Sequence, residues 1–205
     1  MRGPAGSRRC DAMHGFKGDP VKIETLAILL FAAWFLSELA ILRTANDRSG
    51  SNVDRRSMQL LASSNLFIPW LCIALYLFGI GANAFSPAIK IIGVAIMLLG
   101  FCIRWAGMWT LRKFFSANVA VQSDHRLVIQ GPYRFVRHPG YFGGWLAFVG
   151  LGLALGDWIA LVLLSLLTIP AFLYRIDVEE NMLRQAFPDY SSYALKVKRF
   201  VPFIW

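Results

Sequence analysis

The chain has 205 residues, 57% of them hydrophobic, with a mean hydropathy of +0.52 and a formal net charge of +9. That apolar content excludes an ordinary soluble domain and marks an integral membrane protein. Its 21 Lys and Arg stand mainly at the edges of apolar runs, the pattern of a membrane protein rather than of a nucleic-acid binder.

Residues 1–21 are small and basic (Arg2, Arg8, Arg9, Lys17) and read as a flexible tail. A cleaved signal peptide is not indicated, because the next apolar run is too long for an h-region and lacks an A-x-A-like site. The first span is expected from Ile23 to Leu42, about the 20 residues a bilayer needs. Glu24 and Glu38, near its two ends, read as snorkelling or helix-packing groups. Residues 43–64 form a polar loop. Residues 22–65 are thus taken as a first helix with its loop, and 66–205 as the membrane core.

The second span is expected from Leu66 to Phe85 and the third from Ile89 to Trp109. The turn Asn83-Ala84-Phe85-Ser86-Pro87 breaks the helix between them and makes an antiparallel hairpin. Arg104 lies in the last third of the third span. An arginine there needs water, an acidic partner or a ligand, so a snorkelling group and a substrate contact are both open. Trp105 and Trp109 fit an interfacial belt.

Residues 110–140 form a long loop with mixed aromatic and basic groups. Loops of this length are functional or disordered, and the aromatics with Leu127-Val128-Ile129 argue against disorder. Gly131 to Gly144, reading G-P-Y-R-F-V-R-H-P-G-Y-F-G-G, is the most chemically crowded stretch of the chain. Pro139 suits the first turn of a helix. His138 is therefore placed where a membrane helix starts and backbone N–H groups point outward. Such a place favours a carboxylate or other polar ligand. The competing reading is a basic turn that anchors a helix among headgroups.

Two apolar runs follow, Trp145 to Leu155 and Trp158 to Tyr174, separated by a tight turn at Gly156-Asp157. Gly150, Gly152 and Gly156 read as small residues that let helices approach. Pro170 is expected to kink the fifth span. That span should continue to about Ala186, with a short helix from about Asp189. Arg175 and Glu179 share one helical face, while Glu180 lies about 100° round from Glu179. An i,i+4 surface pair there would be worth only a few tenths of a kcal/mol, roughly. Its place at a membrane exit points instead to function. Cys10, Cys72 and Cys102 are far apart and form no C-x-x-C, so free thiols are expected and no metal or disulfide framework.

The expected fold is therefore an all-α, multi-pass membrane protein of about five transmembrane helices. Loop 43–64, loop 110–140 and the tail from Arg175 share one side and carry 14 Lys and Arg, against 6 on the other. The positive-inside rule assigns the richer side to the cytoplasm, with His138 and Glu179 on it.

These residues together resemble the isoprenylcysteine carboxyl methyltransferase family, as an integral membrane methyltransferase of bacterial or archaeal type. The resemblance runs from Arg104 to Pro202. It rests on N-V-A-V-Q at 118–122, H-R-L-V at 125–128, G-P-Y at 131–133, R-H-P-G-Y at 137–141, R-x-x-x-E-E at 175–180 and F-P-D-Y-S-S-Y at 187–193. Gly140 departs from the Ser usual in eukaryotic members. The resemblance implies S-adenosylmethionine as cofactor, bound without a Rossmann domain in a cytoplasmic-face site built by loop 110–140 and the C-terminal helices. It implies Gln122, His125, Arg126, Leu127, Val128, Tyr133, His138, Pro139, Gly140, Tyr141 and Glu179 as cofactor residues. It implies Arg175 as a substrate contact, catalytic with Glu179, and Arg104 is placed beside it. The acceptor implied is the carboxylate of a lipidated or isoprenoid-like molecule, a prenylated small molecule or peptide, with membrane lipids as surroundings and no nucleic acid. Related phospholipid N-methyltransferases share the R-H-P and E-E elements. A phospholipid amine acceptor, with His125 or Glu180 as base, is therefore a second reading. A non-catalytic scaffold or transporter with basic loops is a third.

Overall fold

The computed structural model describes residues 22–46, 55–81, 84–111 and 127–205, and no strand occurs among them. The helices are α1 (Ile23–Asn46), α2 (Arg55–Leu77), α3 (Pro87–Leu111), α4 (Pro139–Leu155), α5 (Trp158–Val162), α6 (Ile169–Ala186) and α7 (Tyr190–Lys196). A 3-10 turn (Gly131–Arg134) precedes α4, and a π turn (Leu163–Leu167) joins α5 to α6. Among the described residues, four segments are long and apolar enough to cross a bilayer: Ile23–Ile41, Arg56–Leu77, Pro87–Leu111 and Trp158–Ala186. The remaining expected span, α4, is fourth in chain order and has 17 residues, the lower limit for a crossing. It is the central helix, with Ala147, Phe148, Leu151, Ala154 and Leu155 at most 1% exposed. A helix surrounded by other helices can be apolar all round without facing lipid.

Glycines fix how α4 sits. Gly93, Gly100 and Gly107, seven apart on α3, face Ala154, Ala147 and Gly140 of α4 in turn, so the two helices run antiparallel. A Cβ on Gly100 would stand 2.5 Å from the Ala147 nitrogen and 2.6 Å from the Gly143 oxygen. A Cβ on Gly150 would strike the Met97 nitrogen, and one on Gly152 would come within 2.5 Å of the Leu161 Cα. Only hydrogen fits where backbones touch, the small-residue packing expected of membrane helices. Aromatics fill the rest, with Trp34 and Phe101 stacked at 4.7 Å and Phe148 bridging Phe31 and Phe172.

The second span needs correction. It runs from Arg55 to Leu77, not Leu66 to Phe85, so ten residues assigned to the polar loop are helical and the division drawn at 65/66 falls inside α2. Hydropathy marks where a helix is apolar, not where it starts, and Ser57 in its first turn is fully buried against α6. At the other end Gly79 and Gly81 take φ of 76° and 79° and stop the helix although Phe78 and Ile80 prolong the apolar run.

The end of the bundle far from His138 is tied by polar groups. Lys90 of α3 pairs with Glu24 of α1. Gly156, at φ 69°, ends α4 in the left-handed conformation. Asp157 caps α5 by accepting from the Ile159 and Ala160 nitrogens at 2.8 and 3.0 Å. Pro170 acts as expected, through the π turn before it. It cannot donate to the preceding turn. Trp145 Nε1 donates to the Ser165 carbonyl at 2.9 Å and the Thr168 hydroxyl to the Leu164 carbonyl at 2.6 Å, which satisfies backbone oxygens at the bend. Among the described residues Cys72 and Cys102 are free thiols. The N-terminal tail and Cys10 lie outside the described residues.

Candidate active site at the His138 end

At the opposite end, the last turns of α1 and α3, the first turns of α2 and α4, and the middle of α6 converge. His138 is the N-cap of α4, with Pro139 at the first helical position, and its side chain does not cap the helix. The imidazole is 5% exposed and turned instead toward α6. Its Nε2 lies 3.2 Å from Glu180 Oε1, and its Nδ1 3.9 Å from Glu179 Oε2. The ring stacks on Tyr141 with centroids 5.7 Å apart.

The Tyr141 hydroxyl is the junction of the site. It donates to Glu179 Oε2 at 2.9 Å and accepts from Arg175 Nε at 3.4 Å. Arg175 and Glu179 thus meet through a residue of α4. Arg175 is 2% exposed and also donates Nη1 to the Ser57 hydroxyl at 2.8 Å. The Glu179 side chain keeps 29% of its surface accessible.

Glu180 has a different part. It is 1% exposed and takes Arg137 Nε at 2.8 Å, Arg184 Nη2 at 3.0 Å and Arg199 Nε at 3.6 Å besides His138. Arg137 also donates Nη1 to the Ala194 and Val197 carbonyls at 2.6 and 2.8 Å, and its backbone nitrogen to the Lys198 carbonyl at 2.8 Å. With the parallel bridge between Val136 and Lys198, this latches the segment after α7 onto the turn before His138. Tyr193 adds a 2.6 Å bond to the Tyr133 carbonyl. Burial pushes the Tyr193 phenol up to about 12, and burial with the nearby Glu179 carboxylate raises that of Tyr133 well above the ordinary range. Both stay protonated at neutral pH.

Arg104 is held by Glu38. Its Nε donates to Glu38 Oε1 at 2.8 Å, its Nη2 to Oε2 at 2.5 Å, and its Nη1 to the Gly140 carbonyl at 3.1 Å. That is a two-pronged guanidinium–carboxylate pair, so packing rather than snorkelling describes Glu38. The pair joins α1 and α3 to the first turn of α4.

Of the residues singled out in the sequence, Tyr133, His138, Pro139, Gly140, Tyr141, Arg175, Glu179 and Arg104 come together at this end. Leu127 and Val128 are half-buried in irregular chain. Gln122, His125 and Arg126 lie outside the described residues. Glu180 as a general base for an amine needs correction, because its carboxylate is buried among cations. Glu38, Ser57, Arg137 and Arg199 were missed as partners of the site. For Glu38 the signal was present: two opposite charges, each costly in an apolar span, stand near span ends that five crossings place on one side. Ser57 carried no signal.

A multi-pass helical membrane protein with an ionic site where one end of its bundle closes is the class these features define. The sequence model of the isoprenylcysteine carboxyl methyltransferase (ICMT) family matches residues 92–185. The chain is 33% identical over 119 residues to a probable protein-S-isoprenylcysteine O-methyltransferase of Oryza sativa subsp. indica, covering 57% of this chain and 62% of the relative. It is 35% identical over 114 residues to the protein-S-isoprenylcysteine O-methyltransferase of Schizosaccharomyces pombe, covering 54% and 48%. The Mus musculus protein of that name is 33% identical over 133 residues, covering 60% and 46%. The chain thus spans about half to three fifths of these curated relatives. A solved structure of the eukaryotic intramembrane Ras methyltransferase ICMT superposes with a TM-score of 0.66 at 26% identity, covering 92% of this chain and 70% of that one. These relatives are eukaryotic, and the bacterial or archaeal type expected from the sequence is not borne out.

Proposed function

We propose that the protein is an S-adenosylmethionine-dependent methyltransferase acting on the carboxylate of a lipidated, prenylcysteine-type acceptor at the cytoplasmic membrane face. The observation that carries this is the Tyr141 hydroxyl set between Glu179 and Arg175, beside His138. It puts a partly accessible carboxylate and a buried guanidinium on either side of one phenol.

The residues fit the donor by their chemistry. Glu179 supplies a carboxylate for an ammonium or a sulfonium. Tyr141 and His138 supply aromatic faces for adenine or for cation–π contact. The first turn of α4, opened by Pro139, supplies outward N–H groups for a carboxylate. Tyr133, Gly140, Leu127 and Val128, with Gln122, His125 and Arg126, belong to the same motif set. When bound, S-adenosylmethionine supplies an electrophilic methyl group on a sulfonium. Arg175 orients the acceptor carboxylate by a planar fork, with Arg104 and Glu38 bracing the wall behind. A carboxylate is already a nucleophile at neutral pH and needs no base, so the residues' task is alignment and exclusion of water. The engagement of Glu180 by three arginines favours this over an amine acceptor, which needs a base.

Labelled S-adenosylmethionine and a small prenyl-cysteine, given to the purified protein, test the reading. Methyl ester should form, and ultraviolet crosslinking should label the protein. No labelling would promote the scaffold reading, and labelled phospholipid without ester the amine reading. Reporter fusions after Arg43, Lys90, Ser123 and Trp205 test the face. A cytoplasmic signal at Lys90 would overturn it.

A further inference from the structure

Residues 195–205 lie against the start of α4 and leave large apolar side chains in the open. Phe200 is buried, with its ring 6.2 Å from Phe142, 5.9 Å from Trp145 and 6.3 Å from Phe172. Trp145 is six residues past Pro139, so Phe200 packs about 9 Å along α4 from its start. The level of that start is set by α3. Gly107 faces Gly140, and Trp105 and Trp109 flank Gly107 with 42% and 75% of their surface accessible, an aromatic belt at the bilayer edge. The segment after α7 therefore dips below this belt rather than standing clear of the membrane. Just beyond Phe200, Phe203 and Ile204 are 79% and 75% exposed. Phe203 takes φ of 66°, a conformation bulky residues rarely adopt, and it is the only non-glycine residue at positive φ among those described. Its ring meets Phe135 at 6.4 Å, and the Arg134 guanidinium lies 5.4 Å from the centre of the Phe135 ring.

We infer that residues 195–205, with Phe135, form a docking surface for the anionic phospholipid leaflet at the His138 end, and that docking steadies the turn that presents His138. Exposed apolar rings at headgroup depth have the acyl boundary as their neighbour, and burying them there is favourable. The exposed cations beside them are Arg134, Lys196 and Lys198. Asp177 of α6 is taken by Arg199, and Asp189 stands at the far end of α7. Lys and Arg beside Phe, Ile and Trp is the composition of a segment lying in the interface, and its charge complements anionic headgroups. A second copy of the chain would bring the same positive charge, which makes self-association the poorer match. The latch carries the effect inward. Val136 bridges to Lys198, Arg137 donates its backbone nitrogen to the Lys198 carbonyl, and its guanidinium holds the Ala194 and Val197 carbonyls. His138 follows directly. A docked segment opens less often, and so does the turn tied to it. The docking is independent of the donor and acceptor proposed above.

Hydrogen–deuterium exchange of the full chain in lipid nanodiscs tests this, with phosphatidylcholine alone in one set and phosphatidylcholine mixed with phosphatidylglycerol in the other. Amides of 195–205 and 131–138 should exchange more slowly in the anionic discs. The scale is about fivefold for each cation near the surface, the equivalent of about 1 kcal/mol. Lys196→Gln/Lys198→Gln should remove most of the difference between the two lipids. Phe203→Ser/Ile204→Ser should speed exchange of both segments in both lipids, while α3 and α4 amides keep their wild-type rates and report an intact fold. Equal exchange of the wild type in the two lipids would overturn the inference. So would a lipid difference that survives loss of both lysines, or one confined to 195–205 that leaves 131–138 unmoved. Protection that appears only with two copies per disc would assign the surface to a second protomer and equally overturn it.

Discussion

Replacing Glu180 by Gln keeps the shape of the side chain and removes its charge. The change leaves Arg137 without its carboxylate at 2.8 Å and turns an amide N–H toward donors on Arg137, His138, Arg184 or Arg199. The partners do not count equally. The Arg184 side chain is 48% exposed, and such a pair contributes about 0–1 kcal/mol. The Arg137 side chain is 11% exposed and faces a carboxylate 2% exposed, so breaking that pair strands a charge at a cost of about 3–5 kcal/mol. We expect Glu180→Gln to lose about 3 kcal/mol or more of unfolding free energy and Arg184→Ala less than about 1. Titration with sodium dodecyl sulfate in mixed micelles measures both. The loss should come with faster tryptic cleavage at Lys196, Lys198 and Arg199, because Arg137 also holds the Ala194, Val197 and Lys198 carbonyls. Equal, small losses in the two variants with unchanged cleavage would refute the ion-cage account.

On α4, Gly150→Ala places a methyl against the Met97 backbone, and overpacking of that kind should cost about 1–3 kcal/mol in the same titration. Gly140→Ser, by contrast, should leave fold stability and donor affinity nearly unchanged, since a Cβ there meets only Arg104 Nη1 at 3.8 Å. Glu38→Gln breaks the forked pair with Arg104 and should destabilise by about 3 kcal/mol, whereas Glu38→Asp should retain part of it. Arg175→Lys should lower prenyl-cysteine turnover at least about tenfold while calorimetric donor affinity stays near wild type, because a lysine keeps the charge but not the fork.

The helices were legible where apolar length and breakers coincide. Pro87, Pro139 and Gly156 each mark a boundary that the structure keeps. The start of α2 was not, since Arg55 to Ser64 is polar and joins the helix through tertiary burial of Ser57 rather than through hydropathy. At the site, R-H-P-G-Y and R-x-x-x-E-E bring together His138, Tyr141, Arg175 and Glu179. Roles within the pair of carboxylates were not readable. Helical geometry separates Glu179 from Glu180 by about 100°, but which one faces a cluster of arginines depends on Arg199 and Arg137, which lie far off in the chain. Ser57 lies beyond any sequence signal, because a single serine gains meaning only from what packs on it.

The glycine seam between α3 and α4 constrains how the molecule can breathe. Backbones in contact at Gly93, Gly100, Gly143 and Gly150 leave no side chains to slide or swing aside, so these two helices move as one plank. A greasy guest cannot part them without tearing backbone from backbone over three turns. The compliant side is the other one. There α2 meets α6 through side chains, the serine–arginine bond among them, and α6 follows a π turn with one residue more per turn than an α-helix. Any widening of the bundle is therefore left to the helices around this fixed plank.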